Sequence, residues 1–216
     1  IQSSLEMLQY GDAVDTTRYM DGAQSACDDL LLLLDGFLEL QRLESGTLEL
    51  DRTEAHPEVL LRRVHKQLEV LARQGDLTME VQLLADLAPC RLDHGLILRV
   101  LHNLAFNAVK FTPPGGMITL GVGAAPAALR DARLPGTPSA LLFEIVDDGP
   151  GVRLEDRERI FDKFVTVAGR ETQRVRGTGL GLAFCREAVR AHGGVVWVED
   201  APDRGSRFRV LLPLDG

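Results

Sequence analysis

The sequence predicts an α+β fold. A mixed, mostly antiparallel sheet packs on helices as a two-layer α/β sandwich, and the remnant of a helical hairpin that dimerises as a four-helix bundle precedes it. Three observations carry this reading. Met20, Ala23, Cys27, Leu30, Leu34 and Phe37 recur at alternating spacings of three and four, the seam of a helix. After Gly46 the texture changes to short strand-like runs between amphipathic segments. Two glycine-rich turns then punctuate the second half, Asp147-Asp148-Gly149-Pro150-Gly151 and Gly177-Thr178-Gly179-Leu180-Gly181-Leu182. Two domains are expected, 1–46 and 47–216.

Taken in order, residues 1–10 read as the tail of one helix, broken at Gly11-Asp12. Thr17 caps a longer helix that runs to about Glu44 and stops at Ser45-Gly46. Leu31 and Leu38 widen its seam into the fuller apolar face of a bundle. Two helices cannot bury such a face alone, so a homodimer through these helices is expected. Thr47–Leu50 reads as a short strand, and Pro57 opens an amphipathic helix to about Arg73. Leu77–Leu84 alternates as a strand does. Asp93 is the N-cap of a helix reaching Phe111, where Pro113-Pro114-Gly115-Gly116 stops it. Met117–Val122 and Leu141–Val146 are strands, and the Ala, Pro and Gly content of Gly123–Ser139 predicts an extended hairpin loop between them. A helix over Gly181–His192 and a hairpin of Val195–Glu199 with Arg207–Leu212 close the chain. The helices are expected on one face of the sheet.

Composition excludes several function classes. The 216 residues are 45% hydrophobic and 26% charged, ordinary for a globular protein. With 24 basic against 32 acidic residues the net charge is −8, which argues against an extended nucleic-acid surface and against docking on anionic lipid by general charge. Cys27, Cys90 and Cys185 are odd in number and far apart, without C-x-x-C spacing. They fit neither a zinc site nor a disulfide framework, so a reducing, cytoplasmic setting is expected. The one long apolar run, Leu30 to Leu34, is far too short to span a bilayer. The chain opens mid-helix at Ile1 without a methionine, so a longer parent is expected, with any membrane attachment outside these residues.

Three clusters carry chemistry. Asn103 and Asn107 are four apart and stack on one helix face, with Lys110 three further on. Neutral amide oxygens plus one ammonium suit a Mg²⁺–polyphosphate complex, because Mg²⁺ keeps most of its waters and takes few protein ligands. The same residues also fit the polar face of an amphipathic helix. In the second cluster Asp147 leaves a buried strand and enters a glycine turn, where it can accept a hydrogen bond from an exocyclic amine and so discriminate adenine from guanine. Asp-Gly and Pro-Gly pairs also form ordinary turns. In the third, glycines at the mouth of a helix let backbone N–H groups crowd around phosphate oxygens. This is neither a Walker loop, lacking Gly-Lys-Ser/Thr, nor the dinucleotide fingerprint. Arg170, Arg174 and Arg176 lie just before it and could close over a triphosphate, or simply be solvated. Phe161 and Phe164 are expected on the same side of a helical turn, anchoring that segment while packing in the core.

Together these blocks resemble the ATP-binding domain of sensor histidine kinases, within the wider group that includes DNA gyrase and heat-shock chaperone ATPases. The resemblance covers nearly the whole chain, including Leu43-Glu44-Ser45-Gly46, Ala191-His192-Gly193-Gly194 and Gly205-Ser206-Arg207-Phe208. It implies that Asn103, Asn107 and Lys110 are the catalytic Mg²⁺–phosphate residues, with Asn103 and Asn107 on the metal, and that Asp147 reads adenine. Phe111, Gly149, Gly151, Phe161, Phe164, Arg174, Arg176, Gly177, Thr178, Gly179, Leu180, Gly181 and Leu182 would complete the ATP site. It implies ATP and Mg²⁺ as cofactors, phosphoryl transfer to a histidine, and relay to the aspartate of a response-regulator receiver domain. His102, though beside Asn103, points about a quarter-turn away from the metal face. Trp197 reads as core.

One departure bears on activity. The phosphoacceptor box of that family has the form His-Asp/Glu-x-x-Thr/Asn-Pro, and none of the five histidines here fits it. By alignment with the family's first helix the acceptor is expected about two and a half helical turns before Ile1. The gyrase-like ATPases carry a glutamate four residues before the metal asparagine; here that position is Asn103, which cannot act as a base. An anti-sigma-factor-like serine kinase shares the fold but resembles the ATP domain alone, without the helical seam. A dimerisation scaffold with a vestigial nucleotide site is the non-enzymatic alternative. The expected outcome of incubating this chain with γ-labelled ATP is therefore no acid-labile phosphate on the protein; its appearance would refute the reading.

Overall fold

The computed structural model describes residues 40–84, 87–165 and 179–214, with isolated positions at 20, 24, 34 and 36–38. The chain divides into two compact units, Ile1–Arg42 and Leu43–Gly216. The division falls ahead of the expected 46/47 boundary because Leu43 packs into the core of the second unit. The described positions from 20 to 44 are helical. The helix tail at 1–10, the Gly11-Asp12 break, the Thr17 cap and the seam residues Ala23, Cys27, Leu30 and Leu31 lie outside the described residues.

The second unit runs β1 (Thr53–Ala55), α1 (Pro57–Gln74), β2 (Thr78–Leu83), β3 (Cys90–Leu92), α2 (His94–Phe111), β4 (Met117–Ala124), α3 (Ala127–Arg133), β5 (Ala140–Asp147), α4 (Gly181–Ala191), β6 (Val195–Asp200) and β7 (Ser206–Pro213). Two 3₁₀ turns, Leu154–Asp156 and Arg159–Phe161, precede α4. The main sheet has the order β2-β4-β5-β7-β6. Among the described residues only β2 and β4 run parallel; the other neighbours are antiparallel, with Leu120 opposite Ile145 and Ile145 opposite Phe208. This is the mixed, mostly antiparallel sandwich that the strand patterns predict.

Strand alternation decides which face is covered. Leu120 and Val122 of β4, Leu141, Phe143 and Ile145 of β5, and Phe208, Val210 and Leu212 of β7 all face one side. Against them pack Leu61, Val64 and Leu68 of α1, Ile97, Val100, Leu101 and Leu104 of α2, and Phe184 and Val189 of α4. The opposite phase, Ala140, Leu142, Trp197 and Leu211, forms a second, small cluster with Leu129 and Leu134. Trp197 is thus core, but of this outer cluster, where the Arg133 guanidinium sits over its ring at 4.5 Å from the centroid.

Three expectations are corrected. Thr47–Leu50 forms no strand; the ladder begins later, at β1, whose partner is β3. Leu48 and Leu50 instead pack against the core, and the Asp51 N–H donates to the Asp93 carboxylate at 3.1 Å. A partner nearly forty residues away leaves no trace in local periodicity. Gly123–Ser139 is not an extended loop throughout. β4 continues to Ala124, and α3 follows after Pro126. The run Ala-Ala-Leu-Arg-Asp-Ala-Arg consists mostly of good helix formers, and Leu129 supplies the apolar contact that holds it on the outer sheet face. The helices therefore occupy both faces, with the three long ones on the inner side.

Asp93 joins three elements ahead of the site. Its Oδ1 accepts the Leu96 N–H at 3.0 Å as the N-cap of α2, its Oδ2 accepts from Asp51, and its own N–H donates to His192 Nε2 at 3.2 Å. Asp93→Ala removes the first two bonds and is expected to lower the urea-unfolding free energy by about 2 kcal/mol. Asp93→Asn keeps a cap oxygen and should cost less than half as much. An alanine variant as stable as the parent would refute this role.

Candidate functional site

Burial of the apolar face of α2 turns Asn103, Asn107 and Lys110 toward the rim of the helical layer, where each is half-buried. At one end of this row Asn103 meets α4. A Cβ built on Gly181 would lie 3.6 Å from both Cγ and Oδ1 of Asn103, in ordinary contact. Asn103 also hydrogen-bonds the buried Cys185 thiol; burial pushes that thiol up to about 12, against the effect of Asn103 and Arg99. The thiol donates to the Val100 carbonyl at 3.7 Å, so Cys185 is a structural tie between α2 and α4. Asn107 lies one turn further along the same edge. Lys110 follows, its ammonium 5.1 Å from the centre of the Phe111 ring, and burial lowers its proton affinity.

At the other end of the row the Phe111 carbonyl backs onto Gly149, 3.3 Å from where a Cβ would stand. Gly149 belongs to the turn of Asp147. That carboxylate is only 4% exposed. Its Oδ1 accepts the Gly149 N–H at 2.8 Å and the Ser206 N–H at 3.4 Å. Among the described residues both bonds fall on Oδ1, and Oδ2 takes none. The adjacent Asp148 is spent structurally: its Oδ2 takes the Met117 N–H at 2.8 Å and secures the start of β4. Of the Asp-Asp pair, Asp147 alone is buried, and Asp148 is half-buried. Gly151, in a left-handed turn, lies against the Gly205 carbonyl.

The two ends are joined by α2 itself. From Asn103 to Phe111 the helix rises roughly 12 Å. Gly181 and Asn103 thus mark one end of a row of side chains and Asp147, Gly149 and Phe111 the other, with Asn107 and Lys110 between. At the Gly181 end the first N–H groups of α4 have no intrahelical partner. Leu180 is buried beneath them and Leu182 packs on the core. Gly179 has φ +70°, and a Cβ there would stand 2.7 Å from the Phe164 backbone, so glycine alone permits the crossing.

Phe161 and Phe164 do not share a side. Phe161 is core, edge-on to the Phe208 ring at 6.4 Å between centroids, whereas Phe164 is 62% exposed with φ +62°. The 3₁₀ turn ends at Phe161, and the reversal that follows swings Phe164 outward. Arg174, Arg176, Gly177 and Thr178 lie outside the described residues. His102 stacks on Phe106 at 6.1 Å, and burial lowers its proton affinity. Two contributors escape sequence reasoning at the level of the site, Gly205 and Ser206. Ser206 helps to hold Asp147, and a Cβ on Gly205, at φ +95°, would overlap the Asp147 carbonyl. The Gly205-Ser206 pair at the hairpin end was the available signal, but it reads there as a turn.

The profile of the histidine kinase-, DNA gyrase B- and HSP90-like ATPase family matches residues 93–216, more than half the chain. The chain belongs to that family. Its homologues include sensor kinases. The adaptive-response sensory kinase SasA of Microcystis aeruginosa is 31% identical over 182 residues, covering 84% of this chain and 44% of that protein. The sensor histidine kinase TmoS of Ectopseudomonas mendocina is 31% identical over 186 residues, covering 86% of this chain and 18% of that protein. Among solved structures, full-length ShkA in complex with AMPPNP aligns with TM-score 0.76 and 28% identity, over 94% of this chain and 39% of that one. The chain thus spans less than half the length of these relatives.

Burial, first, raises the Asp147 carboxyl from 3.8 to about 6, and the Asp148 charge adds to it, while the Gly149 and Ser206 N–H bonds oppose them. The folded chain therefore holds this proton more tightly than the unfolded chain. Stability falls as pH rises from about 4 to about 6, and the full cost, on the order of 2–3 kcal/mol, persists above that. Asp147→Asn removes the charge and is expected to be more stable than the parent by about 2 kcal/mol at pH 7.5, converging with it near pH 4. Urea titrations at the two pH values check this; a pH-independent difference would refute it.

Proposed function

We propose that this chain is the ATP-binding and catalytic part of a sensor histidine kinase, and that it transfers the γ-phosphoryl group of ATP to a histidine for relay to a response-regulator aspartate. The observation that carries the reading is the pairing along one helix edge: an amide pair beside the first turn of α4 at one end, and a buried carboxylate with one oxygen in reserve at the other. Oδ2 of Asp147 accepts the exocyclic amine of adenine, and the charge that burial disfavours gains a donor. The N–H groups at Gly179 to Leu182 and the Lys110 ammonium face the phosphates.

Asn107 and Asn103 offer neutral oxygens to Mg²⁺. Among the described residues no group of three or more His, Cys, Asp or Glu could hold a metal ion. Two neutral amide oxygens fit a cation that takes most of its remaining ligands from phosphate and water. When bound, Mg²⁺ neutralises charge on the transferred phosphoryl group. The protein's own contribution is positioning. Asn103 stands where a hydrolytic member of the family carries a carboxylate base, and an amide takes no proton from water, which favours transfer over hydrolysis.

The helical segment supports dimerisation with a second copy. Met20, Leu34 and Leu38, seam positions among the described residues, are exposed in the single chain. Among the described residues no helix is long and apolar enough to cross a membrane. A cytoplasmic site for this part of the protein is the reading we adopt.

Titration calorimetry with ATP and Mg²⁺ tests the assignment. The parent is expected to bind, Asn107→Ala to bind about tenfold more weakly and with reduced Mg²⁺ dependence, and Asp147→Ala to lose its preference for ATP over GTP. Binding that neither substitution alters would remove the site.

A further inference from the structure

Lys163 stands at the junction of three ties. Its ammonium donates to Glu44 Oε2 at 2.6 Å, and the two side chains are 30% and 31% exposed. Glu44 lies in the last helical turn before Gly46, beside Leu43, which is buried in the core. On one side of Lys163, Asp162 pairs with Arg186 of α4 at 3.0 Å. On the other, the Phe164 N–H donates to the Gly179 carbonyl at 2.9 Å.

The last tie has no slack. Phe164 has φ +62°, a left-handed conformation that side chains rarely adopt, and the backbones of Phe164 and Gly179 cross so closely that a Cβ on Gly179 would lie 2.7 Å away. A shift of Lys163 therefore displaces Gly179, then Leu180, then the first turn of α4, where Gly181 abuts Asn103. The Lys163–Glu44 pair spans 119 positions of the chain.

We infer that Lys163 and Glu44 form a positioning pair that couples the end of the N-terminal helix to the phosphate end of the nucleotide site. The inference rests on the nucleotide-binding reading above. Neither residue touches the ligand. Each acts through the Phe164–Gly179 crossing, so the position of the helix end sets how the first turn of α4 meets the phosphates. Coupling is reciprocal: nucleotide binding biases the helix end by the same factor.

The test uses the full chain with Lys163→Glu, Glu44→Lys and the charge-swapped double variant. The readouts are the Mg·ATP dissociation constant and dissociation rate, together with the thermal midpoint without nucleotide. A half-exposed pair supports a modest effect, so each single reversal is expected to change the dissociation constant about two- to fivefold. The double variant should return it to the parent value, with midpoints within about 2 °C of the parent throughout. Parent-level nucleotide binding in both single variants, or single-variant losses that the swap fails to rescue, overturns the pair while leaving the site intact. Failure of the parent to bind Mg·ATP overturns the nucleotide reading and this inference with it.

Discussion

A helix of eighteen residues can hide one face against a sheet and must leave the other to some different use, and α2 is held to that choice by its apolar positions. Ile97, Val100, Leu101, Leu104 and Ala108 are withdrawn from water against β4 and β5. At about 25 cal/mol per Å² buried, that packing fixes the rotation of the helix about its own axis. A slip of one residue turns it by about 100° and drives the amides into the core. Everything at the site inherits this orientation. Asn103 is delivered to Gly181, Phe111 to Gly149, and Asn107 and Lys110 to the edge between. The cap at Asp93, tied to both Asp51 and His192, fixes the position of the helix along its axis as well.

Asp147 is a buried acid whose charge the fold disfavours. A carboxylate 4% exposed, with both hydrogen bonds falling on the same oxygen, is held in a form that the fold by itself disfavours. Such frustration is typical of positions whose partner arrives from outside. The surroundings are arranged to keep it: Gly149 and Ser206 hold Oδ1, Gly205 permits the hairpin end to back onto the Asp147 carbonyl, and Asp148 is occupied by β4. A second departure from easy geometry lies at the α4 end, where Phe164 and Gly179 cross. The two strained places stand at opposite ends of the same row of polar side chains.

Much of this was legible in the residues. The α2 cap and stop, the phase of β4, β5 and β7, and the edge carrying Asn103, Asn107 and Lys110 follow from signals within a few positions of one another. The misses share a cause. β1 pairs with β3 across some forty residues, α3 is held by an outer sheet face that exists only once β5, β6 and β7 are paired, and Phe164 is turned out by a reversal with no signal of its own in the chain.

The sequence by itself determined the class of fold, the order of its long helices and main-sheet strands and the side chains offered along α2, because periodicity, caps and glycine turns act over short range. Only the tertiary structure decided that Asp148 is tied to the start of β4, that Gly205 and Ser206 close around Asp147, and that Lys163 reaches Glu44. These depend on contacts between segments far apart in the chain, whose energies arise only after the backbone has brought them within a few ångströms.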